Sequence, residues 1–216
     1  MKRWTRPAAM VLSAVVLAGC SSGGGSDSPS ANGPRQVTPG PYRMTMPKAI
    51  LGGTFTESDH AEPDQNIASA LSGQVENGVT AFATYQPANR KSDTEGTVVA
   101  VIGVYGTVLS PVTAREEFLK FAESRSVTGD VQTTVIIGPR TFTPGSSSEP
   151  VSCRIVRKTD STGTSWQPGC SWADGSAVAR VSESVDPRDS PADYDLEALA
   201  AKTATVRNEV RTPVTP

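Results

Sequence analysis

Residues 151–181 read VSCRIVRKTDSTGTSWQPGCSWADGSAVARV and hold two cysteines and two turn signals within one run of β-rich sequence. Segments 151–158 and 169–173 are strand-like, and each carries one cysteine, Cys153 and Cys170. If the two cysteines lie opposite each other in an antiparallel pair, Ile155 faces Pro168, Arg157 faces Trp166, and the hairpin tip falls at Ser161-Thr162 beside Gly163. Pro168 has no N–H to give to a ladder, so regular pairing is expected to stop or bulge at Pro168-Gly169. Asp174-Gly175 then signals a two-residue hairpin, pairing Trp172 with Ala177 and Cys170 with Ala179. Because side chains alternate, Cys153, Ile155, Cys170, Trp172, Ala177, Ala179 and Val181 share one face of a three-stranded meander, which is expected to be buried.

Working outward, residues 97–109 (TVVAVIGVYGTVL) are the most apolar run after the leader and suit a central strand, bent or bulged at Gly103 or Gly106. Ser110-Pro111 starts a helix; Thr113 and Glu116 have capping-box spacing, and Ala114, Phe118, Phe121 and Ala122 form an apolar stripe. A second amphipathic helix has Asp193 or Asp195 in its first turn. Leu196, Leu199, Ala200, Thr203, Val206 and Val210 lie on one side, and it stops before Pro213. Weaker signals give strands at 42–46, at 79–85 after an Asn77-Gly78 turn, and at 131–137, ended by Gly138-Pro139 and continued at 141–143. Gly52 and Gly53 interrupt 49–55, and Pro63 precedes a short helix over 64–71. Together these predict an α+β domain, an antiparallel sheet of five to six strands with two main amphipathic helices packed on it.

The chain has 216 residues, 37% apolar and 19% charged, with three cysteines and one histidine. It is too apolar to be wholly disordered and too poor in cysteine for a disulfide-dense miniprotein. The odd cysteine is explained at the N-terminus. Lys2, Arg3 and Arg6 precede a short apolar run over 8–17, which has the length of a signal-peptide core and is too short to span a bilayer. Leu17-Ala18-Gly19-Cys20 follows and resembles the lipobox of bacterial lipoprotein precursors. The resemblance implies a diacylglyceryl group on the Cys20 sulfur, cleavage before Cys20 by a lipoprotein signal peptidase, and a new N-terminus open to acylation such as palmitate. Residues 1–19 are then the signal peptide, 20–40 the lipidated cysteine and a Gly/Ser/Pro tether, and 41–216 a single extracytoplasmic domain. The tether composition is similar to that of actinobacterial lipoproteins, and twenty such residues reach roughly 25 Å.

Loss of the leader removes three basic residues and takes the net charge from −2 to −5, which argues against nucleic acid as a partner. Two acyl chains hold a protein stably on a membrane. Outside the cytoplasm Cys153 and Cys170 can remain oxidised, and closing their loop is worth about 3 kcal/mol.

Candidate chemistry is sparse. A Ser-His-Asp triad would have to use His60; its acidic neighbours Glu57, Asp59, Glu62 and Asp64 offer oxygen ligands beside the imidazole for a weak metal site, but they match neither EF-hand nor zinc spacing and read first as a solvated loop. Nucleotide-binding and hydrolase motifs are missing from the sequence. Glu116 and Glu117, with Lys120 one turn on, read as a solvated helix face. Trp172 is expected to cover the disulfide, whereas Trp166 is divided between core and a sugar- or peptide-binding groove. Beyond the lipobox, Tyr42-Arg43, 47–53 (PKAILGG), 103–106 (GVYG) and 170–176 (CSWADGS) are similar to stretches of uncharacterised actinobacterial membrane-anchored and lipoprotein sensor-like domains. Those have no known function, so no activity carries over. The expected role is a non-catalytic binding or interaction domain on the outer face of the cytoplasmic membrane, meeting an envelope protein, a cell-wall polymer or a small ligand. No catalytic residue, metal ligand or cofactor is expected. The alternatives are an envelope hydrolase using carboxylates and a carrier of apolar cargo.

Overall fold

The computed structural model describes residues 40–59, 63–90, 97–126, 129–145, 149–161, 163–185 and 190–214. In chain order the elements are β1 (Tyr42–Met44), β2 (Ala49–Ile50), β3 (Phe55–Asp59), α1 (Asn66–Ala70), β4 (Val75–Pro87), β5 (Val99–Val108) and α2 (Pro111–Glu123). There follow β6 (Arg125–Ser126), β7 (Gly129–Asp130), β8 (Gln132–Phe142), β9 (Val151–Asp160), β10 (Gly163–Ala173), β11 (Ala177–Glu183), α3 (Leu196–Val210) and β12 (Arg211–Pro213).

The main sheet is antiparallel with order β2-β3-β4-β5-β11-β10-β9-β8. The chain builds one meander through β5 and crosses on α2 to the far edge. It then builds a second meander back from β8 and seals the two along β5 and β11. The sheet therefore has eight strands, not five to six, and the described chain is mostly β with three α-helices, which corrects the α+β expectation. The missing strands were hidden for physical reasons. β2 has two residues, too few to show a period, and β3 (FTESD) is polar because it lies near the sheet edge. The turn that joins them runs through Leu51 and Gly52 at positive φ, and both N–H groups donate to the Glu209 carboxylate at 2.7 and 3.0 Å. β12 pairs with β1, so the chain beyond α3 continues as a strand through Pro213.

Helices cover both faces. On one, Leu196, Leu199, Ala200, Val206 and Val210 of α3 pack with the Cys153, Ile155, Cys170, Trp172, Ala177, Ala179 and Val181 side chains. On the other, Ile67 and Leu71, in and just after α1, join Ala114, Phe118 and Leu119 of α2 over Val104, Val108 and Val178. β5 lies between the two layers, which explains its nearly continuous apolar sequence: Val99, Val101 and Val104 are at most 1% exposed. Gly103 permits this layering. A Cβ there would lie 2.5 Å from the Cβ of its cross-strand partner Ala179 and 2.8 Å from Met44 Sδ. Gly103→Ala is expected to lose 1–3 kcal/mol by overpacking, read as a lower urea midpoint at unchanged slope.

The β9–β10 pairing keeps Cys153 opposite Cys170 and runs unbroken through Pro168↔Ile155, where the sequence predicts a stop or a bulge. The Cys153 and Cys170 Cα atoms are 4.0 Å apart, as in a non-hydrogen-bonded pair. Pro168, two residues away, is of the same type, so its nitrogen points away from β9. The β10–β11 ladder has its last pair at Gly169↔Ser182, one residue short of Pro168, so no ladder hydrogen bond is lost. In the second hairpin Trp172 pairs with Ala179 and Cys170 with Val181, two residues beyond the expected partners. Asp174 enlarges that turn, its Oδ1 accepting from the N–H groups of Ser176 and Ala177 at 2.6 and 3.1 Å. A slip of two preserves side-chain parity, so the same face is buried.

Three further details differ. Asn77-Gly78 is a bulge inside β4, not a turn before it, with Asn77 at φ 54°. β8 is one edge strand through Pro139, with register shifts flanking Ile137. The capping box of α2 is not formed; the Ser110 hydroxyl donates to Thr113 Oγ1 at 3.0 Å.

Candidate functional site

All seven residues of β11 are buried, including Arg180 and Glu183. A strand enclosed on both faces must find partners for such groups, and it places one charge on each face. On the α2 face Arg180 extends across Gly169, where a Cβ would lie 2.5 Å from Nη2 and 2.7 Å from Cζ. Its Nη1 donates to Gln167 Oε1 at 3.1 Å and its Nε lies 3.8 Å from Glu123 Oε1. Arg154 of β9 makes the closer pair, donating from Nε and Nη2 to the two Glu123 oxygens at 3.0 and 2.5 Å. Burial, opposed in part by the Glu123 charge, pushes the Arg180 guanidinium down to about 10. Lys158 lies on the same face of β9; burial first and the Arg180 charge second push its ammonium down to about 8. Arg180 Nη2 is buried and has no hydrogen-bond partner among the described residues.

On the α3 face Glu183 accepts from Tyr194 Oη and, at 2.9 Å, from Lys202 Nζ of α3. Burial and the Glu183 hydrogen bond raise the Tyr194 phenol well above its ordinary value. Beside this group Trp166, half-buried, packs with Ile155, Pro168 and Tyr194 around a narrow pocket. Trp172 is 1% exposed and belongs to the core around the disulfide.

Elsewhere an open cleft of about 500 Å³ lies between α1 and the β4 bulge. Ala68, Val75 and Gly78 supply its apolar lining, and Gln65, Ser69, Ser72, Glu76 and Asn77 its hydrogen-bonding groups. Gln65 is fixed by accepting from the Thr80 N–H at 3.3 Å, and Ser69 by donating to the Gln65 carbonyl at 3.2 Å. The bulge creates one wall. Two residues, Asn77 and Gly78, face the single Gly106 of β5, whose missing Cβ leaves room for the carbonyls of Glu76 and Asn77. The chain enters the domain at this same end of the sheet, where the Tyr42 N–H donates to Ser176 Oγ and the Gly106 N–H to the Ser176 carbonyl.

Among the sequence-selected residues, Cys153 and Cys170 form a disulfide. Cys20 and His60 lie outside the described residues, as does Glu62. Glu116, Glu117 and Lys120 are exposed, whereas Glu123, one turn further along the same helix, is the buried carboxylate. Among the described residues no three His, Cys, Asp or Glu side chains converge as metal ligands, and no helix is long and apolar enough to cross a membrane. Sequence reading passed over Glu123, Arg154, Lys158, Arg180 and Glu183. The available signal was the alternation of β11, where Val178, Arg180 and Ser182 fill the second face of a strand whose first face is apolar at Ala177, Ala179 and Val181 and ends in Glu183. No family model, curated protein or solved structure matches the chain.

Proposed function

We propose that the chain is a lipid-anchored binding module. Acylated Cys20 holds it on the outer face of the cytoplasmic membrane, and the domain at the end of the tether presents a non-catalytic recognition surface. The observation that carries the binding reading is the α1–β4 cleft, where amide, hydroxyl and carboxylate groups surround a small apolar floor. Such a lining suits an uncharged polar chain, a peptide segment or the polyol backbone of an envelope polymer, better than apolar cargo. The filling of the core favours the same reading. The β5 valines that would have to line a cargo cavity are packed by Phe118 on one side and by the Trp172 layer on the other.

The test is photo-crosslinking in intact membranes, with a crosslinking residue in place of Ser72 and, as control, in place of exposed Glu197. A reproducible adduct specific to Ser72, lost when Ser69→Trp fills the cleft, is expected. Identical adducts from both positions, or release of a cleaved product from the captured polymer, would overturn the reading. The address is tested separately: Cys20→Ser is expected to abolish fatty-acid labelling and reduce membrane-bound protein to background. Undiminished membrane retention of that variant would refute the anchor.

A further inference from the structure

On the α2 face of β9–β11 two guanidiniums, Arg154 and Arg180, meet the Glu123 carboxylate, the one carboxylate paired with them among the described residues, and Lys158 lies on the same face of β9. Glu123 is committed mainly to Arg154, which holds both of its oxygens. That leaves positive charge in excess where solvent is largely excluded. The donors left over point to what would balance it. Arg180 is 3% exposed and its Nη2 has no hydrogen-bond partner among the described residues. Lys158 has no hydrogen bond or ion pair among the described residues, although its ammonium is partly desolvated.

Gln167 lies between them on β10, diagonal to Lys158. A guanidinium can only donate, so the Gln167 carbonyl must face Arg180, which leaves the Gln167 NH₂ as a third donor. Three donors from three adjacent strands, with the Gln167 carbonyl already taken by Arg180, make a surface suited to an acceptor-rich ligand. Asp160 lies further along β9, toward the hairpin tip.

We infer that Lys158, Gln167 and Arg180 form a binding site for a tetrahedral oxyanion, a phosphate-type group. The site is separate from the α1–β4 cleft and does not depend on what the cleft binds. A phosphate offers three oxygens to three donors, and its charge offsets the surplus left by Glu123. Gly169 is part of the site because any side chain there would displace the Arg180 guanidinium.

The experiment titrates the full chain, in non-ionic detergent at pH 7, with inorganic phosphate, and in parallel with sodium chloride at matched ionic strength. Calorimetry and thermal unfolding follow binding. A saturable, phosphate-specific rise in the unfolding midpoint is expected. Lys158→Met keeps the apolar stem, and is expected to fold and to bind phosphate about tenfold more weakly. Gln167→Glu places a carboxylate among the donors and is expected to abolish binding. Glycerophosphoglycerol, run as a third arm, distinguishes a lipid-headgroup phosphodiester from free phosphate by which of the two binds more tightly. The inference falls if chloride reproduces the phosphate effect, if acetate binds as tightly as phosphate, or if Lys158→Met binds phosphate like the parent chain.

Discussion

Replacing Cys153 and Cys170 together with alanine is expected to lower the unfolding free energy by about 3 kcal/mol. The figure follows from the 17-residue separation, since the bond chiefly removes loop-closure freedom from the unfolded chain. For a domain of this size it corresponds to a melting point lower by roughly 6–12 °C. Its size relative to a net stability of about 5–15 kcal/mol makes the disulfide one of the larger single contributions. The two cysteines also lie in the core layer with Trp172 and Ile155, so the variant loses some packing as well. Reductant separates the two effects. Added to the parent chain it should reproduce most of the loss, and added to the double variant it should change nothing. A loss below 1 kcal/mol in urea titrations of the reduced parent chain would show that the β9–β10 ladder closes the loop unaided.

That pair of strands also shows what sequence patterning can and cannot convey. A two-residue period specifies parity far better than partner. The Asp174 turn is longer than the Asp174-Gly175 dipeptide suggested, and every partner in the second hairpin moved by two, yet the buried face is composed of the same residues. Pro168 disturbs no pairing because its position, two residues from the disulfide, turns its nitrogen away from β9 to the side where the β10–β11 ladder has already ended, and sequence alone does not show which side that is. Strand count was less legible. β2 and β3 owe their place to a turn held by Glu209, some 150 residues away in sequence, and no local pattern in 49–59 carries that contact. Burial on the second face was the least legible. Residues 177–183 alternate like a half-exposed strand, and only the approach of α2 from another part of the chain encloses Arg180. The address is the reverse case, since the lipobox is read from the order of four residues and draws nothing from the fold.

The larger expected effect belongs to that enclosed face. Glu123→Ala should cost about 3–5 kcal/mol, more than removing the disulfide, because it leaves Arg180 and Arg154 without their carboxylate. The side chains of Glu123 and Arg180 are 5% and 4% exposed, so neither can recover hydration by a small movement. Arg154, at 20%, is able to turn outward. This difference predicts the outcome of a double-mutant cycle. Arg154→Ala alone should be destabilising, since Glu123 then relies on the longer contact to Arg180. In the Glu123→Ala background the same change should be neutral or stabilising, because it removes a cation that no longer has a counter-charge. Arg180→Met in that background should recover stability further, as an apolar side chain of similar length fills the space over Gly169 without an unpaired charge. Urea midpoints at constant slope are the readout. If Glu123→Ala costs less than 1 kcal/mol, or if the two substitutions simply add, the cluster is solvated rather than enclosed. The excess positive charge on which the oxyanion site rests would then be neutralised by water and salt.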